Sequence, residues 1–179
     1  MKKIKLILCV VAATSLGFVS CNNDDDSDAP VVVNPVAIAG TYNLTAANTG
    51  NPTDFNEDGT ENTNQLLEST CYAGNKMVFN ADGSFAWQMN NILVDSGTGN
   101  SACDDYLALG TWTLESGTGT SAVINVTYEA ENGEDVDITL NKTGTELQWY
   151  SLLGPYPDKN DDGGAFNQIG EFELLFTKQ

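Results

Sequence analysis

Hydrophobic and polar residues alternate with a period of two along most of the chain after residue 36. This alternation is typical of β-strands that have one face on a core and the other face on solvent. Eight segments carry the pattern and are predicted to be strands: Ile38–Ala46, Lys76–Asn80, Ser84–Ile92, Tyr106–Glu115, Ala122–Glu129, Asp135–Asn141, Glu146–Leu152 and Glu171–Lys178. No segment has a convincing helical period, so Gln65–Ser69 is expected to form one short helical turn at most.

The connections between these strands differ in length. Residues 80–83 and 141–144 contain the Asn, Asp and Gly residues of tight hairpin turns, and residues 115–121 are short and Gly-rich. The connections after the first, third and seventh strands are long: 47–75, 93–105 and 153–170. Because alternate connections of an up-and-down antiparallel sheet share one end, we expect the tight turns at one end and the long loops at the other.

Eight strands within the 143 residues 37–179 predict an all-β fold, an eight-stranded antiparallel up-and-down β-barrel. Closure leaves no open sheet edge. The alternative is a β-sandwich, for example a carbohydrate-binding module. A barrel of this size is either filled by side chains or hollow enough for one small ligand, and the pattern leaves both open. It names no ligand-binding residue.

Short motifs in this region resemble those of lipocalins. Gly40-Thr41-Tyr42-Asn43-Leu44 is similar to the Gly-x-Trp opening of lipocalins with Tyr in place of Trp, and Gly110-Thr111-Trp112-Thr113-Leu114 repeats it. The stretch from Cys71 through Lys76–Phe85 and the ending Phe172–Lys178 are similar to the lipocalin-like domains of bacterial lipoproteins. This resemblance implies a lipocalin-like barrel that binds a small apolar or amphiphilic molecule.

The beginning of the chain predicts export. Lys2, Lys3 and Lys5 precede an apolar run of about ten residues, which is too short to remain as a membrane span. Phe18-Val19-Ser20-Cys21 follows, and a Cys after a small residue resembles the lipobox of bacterial lipoproteins, in which that Cys is lipidated, for example with palmitate. The alternative is an ordinary thiol at Cys21. Residues 22–28 look like the acidic export tag of some Gram-negative lipoproteins.

Three segments are therefore expected. Residues 1–20 are a lipoprotein signal peptide, residues 21–36 are a lipidated Cys with an acidic and Pro-containing tether, and residues 37–179 are the lipocalin-like barrel. Two or more acyl chains on Cys21 would hold the protein firmly on a membrane. The expected location is the outer membrane, exposed at the cell surface, with its periplasmic face as the alternative.

The charge of the chain excludes several classes of partner. After residue 20, four lysines stand against 25 acidic residues, which gives a formal charge of −21, and the chain contains no Arg or His. Nucleic-acid binding depends on Lys and Arg, so no nucleic-acid partner is expected. Without His there is no Ser-His-Asp triad, Cys-His pair or imidazole metal site. Self-repulsion at this charge favours a monomer.

Of the four cysteines, Cys9 lies in the signal and Cys21 is assigned to lipid. Cys71 and Cys103 remain as an even pair in an exported chain, where oxidising conditions favour a disulfide. Each ends one of the long connections, so the topology brings both to the same rim.

Two motifs match the first half of a calcium loop. They place oxygen side chains at alternate positions, then Gly at the sixth position, and a backbone carbonyl at the seventh: Asp54, Asn56, Asp58 and Thr60 in one, Asp158, Asn160, Asp162 and Gly164 in the other. Gln65 and Ile169 occupy the twelfth positions, where such loops carry a bidentate Glu, and Glu68 and Glu171 could substitute. Weak calcium binding is predicted. The alternative is a pair of polar turns.

For two further groups of residues we favour a structural role over a functional one. Trp87, Trp112 and Trp149 could line a cavity or stack on sugars, and at least two are expected in the core. Asp135 and Asp137 are expected on a solvated strand face rather than in a glycosidase pair. The function expected is non-enzymatic binding of a small ligand. A glycan-binding or adhesion module is the first alternative, and a carboxylate-only hydrolase is the second.

Overall fold

A computed structural model of the chain describes residues 37–179. Signal peptide, lipidated Cys21 and tether, as predicted from the sequence, lie outside the described residues. The described part contains nine strands: β1 Gly40–Thr53, β2 Asn62–Asn64, β3 Lys76–Phe79, β4 Ser84–Asp95, β5 Asn100–Gly117, β6 Ser121–Glu129, β7 Asp135–Thr143, β8 Glu146–Lys159 and β9 Ala165–Lys178. A helix α1, Gln65–Glu68, and a 3₁₀ turn, Thr70–Tyr72, follow β2. Neither is long and apolar enough to cross a membrane.

The sheet closes on itself. Strands β3 to β9 pair in antiparallel fashion in chain order, β3 pairs with β1, and β9 pairs back onto β1 from Tyr42–Lys178 to Thr49–Phe172. The eight-stranded antiparallel barrel predicted from the alternation is therefore confirmed, and the β-sandwich is not adopted. The ninth strand, β2, is a three-residue addition that pairs with β1 inside the first long connection.

The prediction that residues 93–105 and 153–170 form long loops is wrong. These residues are extensions of β4–β5 and β8–β9, which project as hairpins with turns near residues 96–99 and 160–164. Much of these extensions lies exposed beyond the closed wall, so the alternation that marks a half-buried strand weakens there. Pro155 and Pro157 lie in the extended part of β8. The register of β8 with β7 ends at Gln148, so its outer edge is free beyond that point, and Pro is tolerated on an edge.

The two ends of the barrel differ. The tight turns 80–83, 117–121 and 143–146 lie at one end with residues 37–40, and we call this the closed end. The first long connection, the two long hairpins and the turn 130–134 lie at the other, which we call the mouth. The predicted separation of the three tight turns from the long connections is confirmed.

Aromatic side chains fill the closed end. Phe79 makes edge-to-face contacts with Tyr42, Phe85 and Trp112, with ring centroids 5.1–5.7 Å apart. Tyr42 and Trp112 also fix the backbone there, since the Tyr42 hydroxyl donates to the Ile38 carbonyl at 2.7 Å and the Trp112 indole N–H donates to the Asn80 carbonyl at 2.9 Å. Edge-to-face pairs of buried rings pack densely and add to the burial energy, so this half of the barrel is solid.

Candidate functional site: a cavity at the mouth of the barrel

The half of the barrel nearer the mouth is not filled by side chains. A cavity of about 400 Å³ lies between the walls toward the mouth, and its aromatic lining consists of Tyr72, Trp87, Tyr128, Trp149 and Phe172. Met89, Ile92, Ile138 and Leu174 add aliphatic surface. Trp87 forms part of the floor, because it is buried and makes an edge-to-face contact with Phe176 below it, with ring centroids 6.0 Å apart.

The strand pattern explains which residues reach the cavity. Tyr128, Ile138 and Phe172 occupy the inward positions of β6, β7 and β9, and Val126, Leu140 and Leu174 follow at the same parity one step nearer the closed end. Alternation could therefore name the inward residues. It could not show a void, because the gap depends on how side chains from all eight strands meet across the interior.

Besides the Tyr72 and Tyr128 hydroxyls and the indole N–H groups, the polar groups of the cavity belong to asparagines. Asn75 is buried, its Oδ1 accepts from the Trp87 indole N–H at 2.8 Å, and its Nδ2 donates to the Asn90 carbonyl at 3.0 Å. Asn90 in turn donates to the Ala73 carbonyl. These bonds fasten the segment after the 3₁₀ turn to β4 and satisfy the only polar atom of the Trp87 ring. Asn75 and its neighbour Tyr72 carry no sequence signal for this role.

A disulfide holds the same segment from its other side. Cys71 and Cys103 are bonded, with their Cα atoms 5.0 Å apart, as predicted. The bond joins the 3₁₀ turn to the extended part of β5 at the mouth. Tyr72 follows directly and is buried, and that burial raises the pKa of its phenol. The cavity wall contributed by residues 72–75 is thus fixed by one covalent bond and by hydrogen bonds to β4.

The first acidic motif forms a tight loop after β1. The Asp54 carboxylate accepts from the backbone N–H groups of Asp58 and Gly59, both at 3.0 Å, and Asn56 Oδ1 accepts from the Asp58 N–H at 2.9 Å. Asp58 Oδ1 accepts from the Thr60 N–H at 2.8 Å. The side-chain oxygens of Asp54, Asn56 and Asp58 are therefore gathered around one turn of backbone, although their present partners are N–H groups.

A buried carboxylate lies beside this loop. Glu68 is 2% exposed, and its oxygens accept from the Asn56 N–H at 3.3 Å and from the Asn62 side-chain amide at 2.5 Å. The one ion pair among residues 37–179 involves other groups, so no cation faces Glu68 there. Burying a carboxylate without a positive partner is costly. The sequence proposed Glu68 as a substitute ligand from its spacing alone.

A calcium ion fits the chemistry of this donor set. Calcium takes carboxylate, amide and carbonyl oxygens, and Gln65, at the twelfth position of the motif, has a buried Oε1 with no hydrogen-bond partner among the described residues. Its Nε2 donates to Thr53 Oγ1 at 2.7 Å, next to Asp54. Across residues 37–179 no three His, Cys, Asp or Glu side chains are grouped as a metal site, so an ion here would also need the amide and carbonyl oxygens of Asn56 and Thr60.

The second acidic motif is arranged differently. Asp158 lies within β8, where its carboxylate accepts from the Lys159 N–H at 2.8 Å and from the Gln168 side-chain amide across the hairpin. Asn160 and Asp162 belong to the hairpin turn, in which Asn160 Oδ1 accepts from the N–H groups of Asp162 at 3.2 Å and Gly164 at 2.8 Å. The structure thus places Asn160, Asp162 and Gly164 together and gives Asp158 a partner on β9.

The other residues considered in the sequence analysis lie either in the barrel interior or on its outer face. Trp87 and Trp112 are buried in the core, as expected for at least two of the three, and Trp149 is half-buried on the cavity wall. Asp135 and Asp137 lie on the exposed outer face of β7, where Asp137 accepts from the Thr127 hydroxyl.

Comparison with known proteins adds no family: no protein-family model matches this chain, and neither a curated protein nor a solved structure matches it.

Proposed function

We propose that this protein is a lipid-anchored, non-enzymatic binding protein of the cell envelope that holds a small apolar or amphiphilic ligand in its barrel. The observation that carries the proposal is the cavity of about 400 Å³ at the mouth, with five aromatic side chains in its lining. Ligand sites are concave and mostly apolar, with a few polar groups that fix orientation. The buried asparagine network around Asn75 supplies such groups without filling the space.

Calcium at the first acidic loop completes the proposal. Support comes from the gathered oxygens of Asp54, Asn56 and Asp58, from the buried Glu68 carboxylate, which forms no ion pair among the described residues, and from the Gln65 Oε1, which has no hydrogen-bond partner there. The loop joins directly to α1 and the 3₁₀ turn, which lead to Tyr72 and Asn75 on the cavity wall. An ion that orders the loop would therefore also stiffen one side of the ligand site.

The cavity also favours binding over the two alternative functions. A glycan-binding module would show several aromatic rings together on a flat outer face. Trp87, Trp112 and Trp149 occupy the barrel interior, and the exposed rings of Tyr150 and Phe166 lie at different heights on β8 and β9. A carboxylate-only hydrolase needs two acidic groups at its cleft, and the side chains that line the cavity are apolar, aromatic or amide-bearing.

Native mass spectrometry of the full chain tests the ligand proposal. A co-purified small molecule should appear as an added mass on the wild type. Ile138→Trp fills part of the cavity and should remove that mass. Leu109→Trp, on the exposed outer face of β5, is the matched control and should keep it. A ligand retained equally by both variants would place it outside the cavity.

A further inference from the structure

The charge of the barrel is concentrated at the mouth. Segments 54–68, 95–105, 129–135 and 158–162 surround it and carry 15 of the 21 acidic residues of the described part. The single lysine on these segments is Lys159, whose Nζ lies 2.7 Å from Glu57 Oε2. Lys142 and Lys178 lie at the closed end, and Lys76 is on the outer wall. A cleft lined by one sign of charge concentrates ions of the opposite sign.

The cavity below the mouth presents aromatic rings and neutral amides. Trp87 pairs with Tyr128 and Trp149 pairs with Phe172 in edge-to-face geometry, with ring centroids 5.8 and 6.2 Å apart, and all four rings line the cavity. Burial raises the pKa of Tyr128, with a further contribution from Tyr106, so its ring is a neutral phenol at neutral pH. The indole N–H of Trp87 is already bonded to Asn75.

We propose that the cavity selects an organic cation, a protonated amine or a quaternary ammonium that carries an apolar group, over a carboxylate of the same size. The inference rests on the proposed function, because it names the ligand class of the same cavity. Aromatic ring faces attract cations through their quadrupole, and the acidic mouth favours entry of positive charge. A carboxylate would be repelled by the acidic residues of the mouth, and it would find no cationic partner among the residues that line the cavity.

Three probes with similar alkyl tails test this selectivity: octyltrimethylammonium, octanol and octanoate, the two ionic probes below their micelle concentrations and octanol below its solubility limit. The experiment uses the full chain with Cys21→Ala, purified without detergent so that no micelle competes. Titration calorimetry and tryptophan fluorescence report binding, since Trp87 and Trp149 line the cavity. We expect the cation to bind about tenfold more tightly than octanol and octanoate to bind most weakly. Raising NaCl to about 0.5 M should weaken the binding of the cation and not that of octanol.

Two neighbouring substitutions separate cation–π attraction from burial. Trp149→Leu keeps the wall apolar but removes a ring, so it should weaken the cation several-fold and leave octanol nearly unchanged. Tyr150→Leu changes the next residue, which is 46% exposed on the outer face, and should leave both probes unchanged.

Each contrary result has a definite meaning. Octanol or octanoate binding as tightly as the cation would overturn the cation inference and leave the proposed binding function standing. If none of the three probes binds, the inference is overturned, and the native mass spectrum decides separately whether the cavity holds a ligand of another class.

Discussion

Glu57 and Lys159, which are 102 residues apart in the chain, form an ion pair of 2.7 Å that joins the two acidic motifs. Glu57 has a left-handed backbone, φ 59°, within the loop after β1. Lys159 also lies over the Phe55 ring, 5.2 Å from its centroid. Because β1 and β9 are neighbours in the closed barrel, the loop after β1 and the β8–β9 hairpin meet at the mouth, and this contact joins them.

Breaking this pair should have a small effect on stability. Glu57 is 53% exposed and Lys159 is 19% exposed, so solvent screens the interaction. A double-mutant cycle with Glu57→Gln and Lys159→Met, followed by denaturant unfolding, should give a coupling free energy of about 0.2–1 kcal/mol. The coupling should shrink in about 0.5 M NaCl. A coupling unaffected by salt would show that the contact is not mainly electrostatic.

Loss of the Cys71–Cys103 disulfide should lower the free energy of unfolding more than loss of the ion pair does. The bond closes a segment with a sequence separation of 32 residues, and loss of such a bond typically costs about 2–4 kcal/mol. Cys71→Ala with Cys103→Ala should lower the free energy of unfolding by that amount and loosen the cavity wall at Tyr72. Thiol titration of unfolded, unreduced protein should find neither Cys71 nor Cys103 free. Two reactive thiols at these positions would contradict the bond.

Calcium should stabilise the protein more than magnesium does. At a few millimolar and equal ionic strength, Ca²⁺ should raise the melting temperature further, because Mg²⁺ holds its waters and needs octahedral geometry. Asp54→Asn with Glu68→Gln should remove most of the difference, and Asp158→Asn with Asp162→Asn should remove any part due to the second motif.

Asp135→Asn with Asp137→Asn is the control for charge alone. It removes two acids from the exposed face of β7 and should preserve the calcium-specific shift. Equal shifts from the two cations, unchanged by the loop variants, would reduce both motifs to polar turns.

Alkaline pH should destabilise the barrel through Tyr42. Burial raises the pKa of Tyr42 to about 12, against an ordinary value of 10.0. Its stabilising contribution is therefore complete below pH 10 and is lost as pH rises through 12. Tyr42→Phe loses the hydrogen bond to Ile38 and should cost about 1 kcal/mol at pH 8. At pH 11 its deficit relative to wild type should narrow by about 1 kcal/mol. A deficit that stays constant between these pH values would exclude Tyr42 as the titrating group.

Anchoring should depend on Cys21. Cys21→Ala should release the protein from the membrane fraction and abolish labelling by a fatty-acid analogue, because acyl chains would supply the attachment. Replacing Asp24, Asp25 and Asp26 with Ala should preserve labelling but reduce access of added protease at the cell surface. A Cys21→Ala protein that remains labelled would disprove the lipidation site, and unchanged protease access would remove the export-tag interpretation.

The sequence by itself predicted the eight strands of the barrel wall, favoured closure over a β-sandwich, and paired Cys71 with Cys103. Alternation such as Phe85, Trp87 and Met89 reflects burial of one face, which is a local property of each strand, and eight such strands in 143 residues leave closure as the way to remove open edges. The pairing of Cys71 with Cys103 followed from eliminating the other two cysteines. Spacing also named Glu68 as a potential companion of the first acidic loop.

Only the tertiary structure shows that side chains fill the barrel at the closed end and leave a cavity toward the mouth. Tyr42, Phe79 and Trp112 at the closed end and Tyr128 and Phe172 at the cavity all point into the barrel. The alternation in the sequence does not distinguish the residues that fill the interior from those that line the cavity. Whether inward side chains meet depends on their lengths and heights on all eight strands at once. The lengths of the two long hairpins were likewise not predicted, because much of each extension is exposed and its few buried residues, such as Tyr156 and Ala165, do not produce a regular alternation.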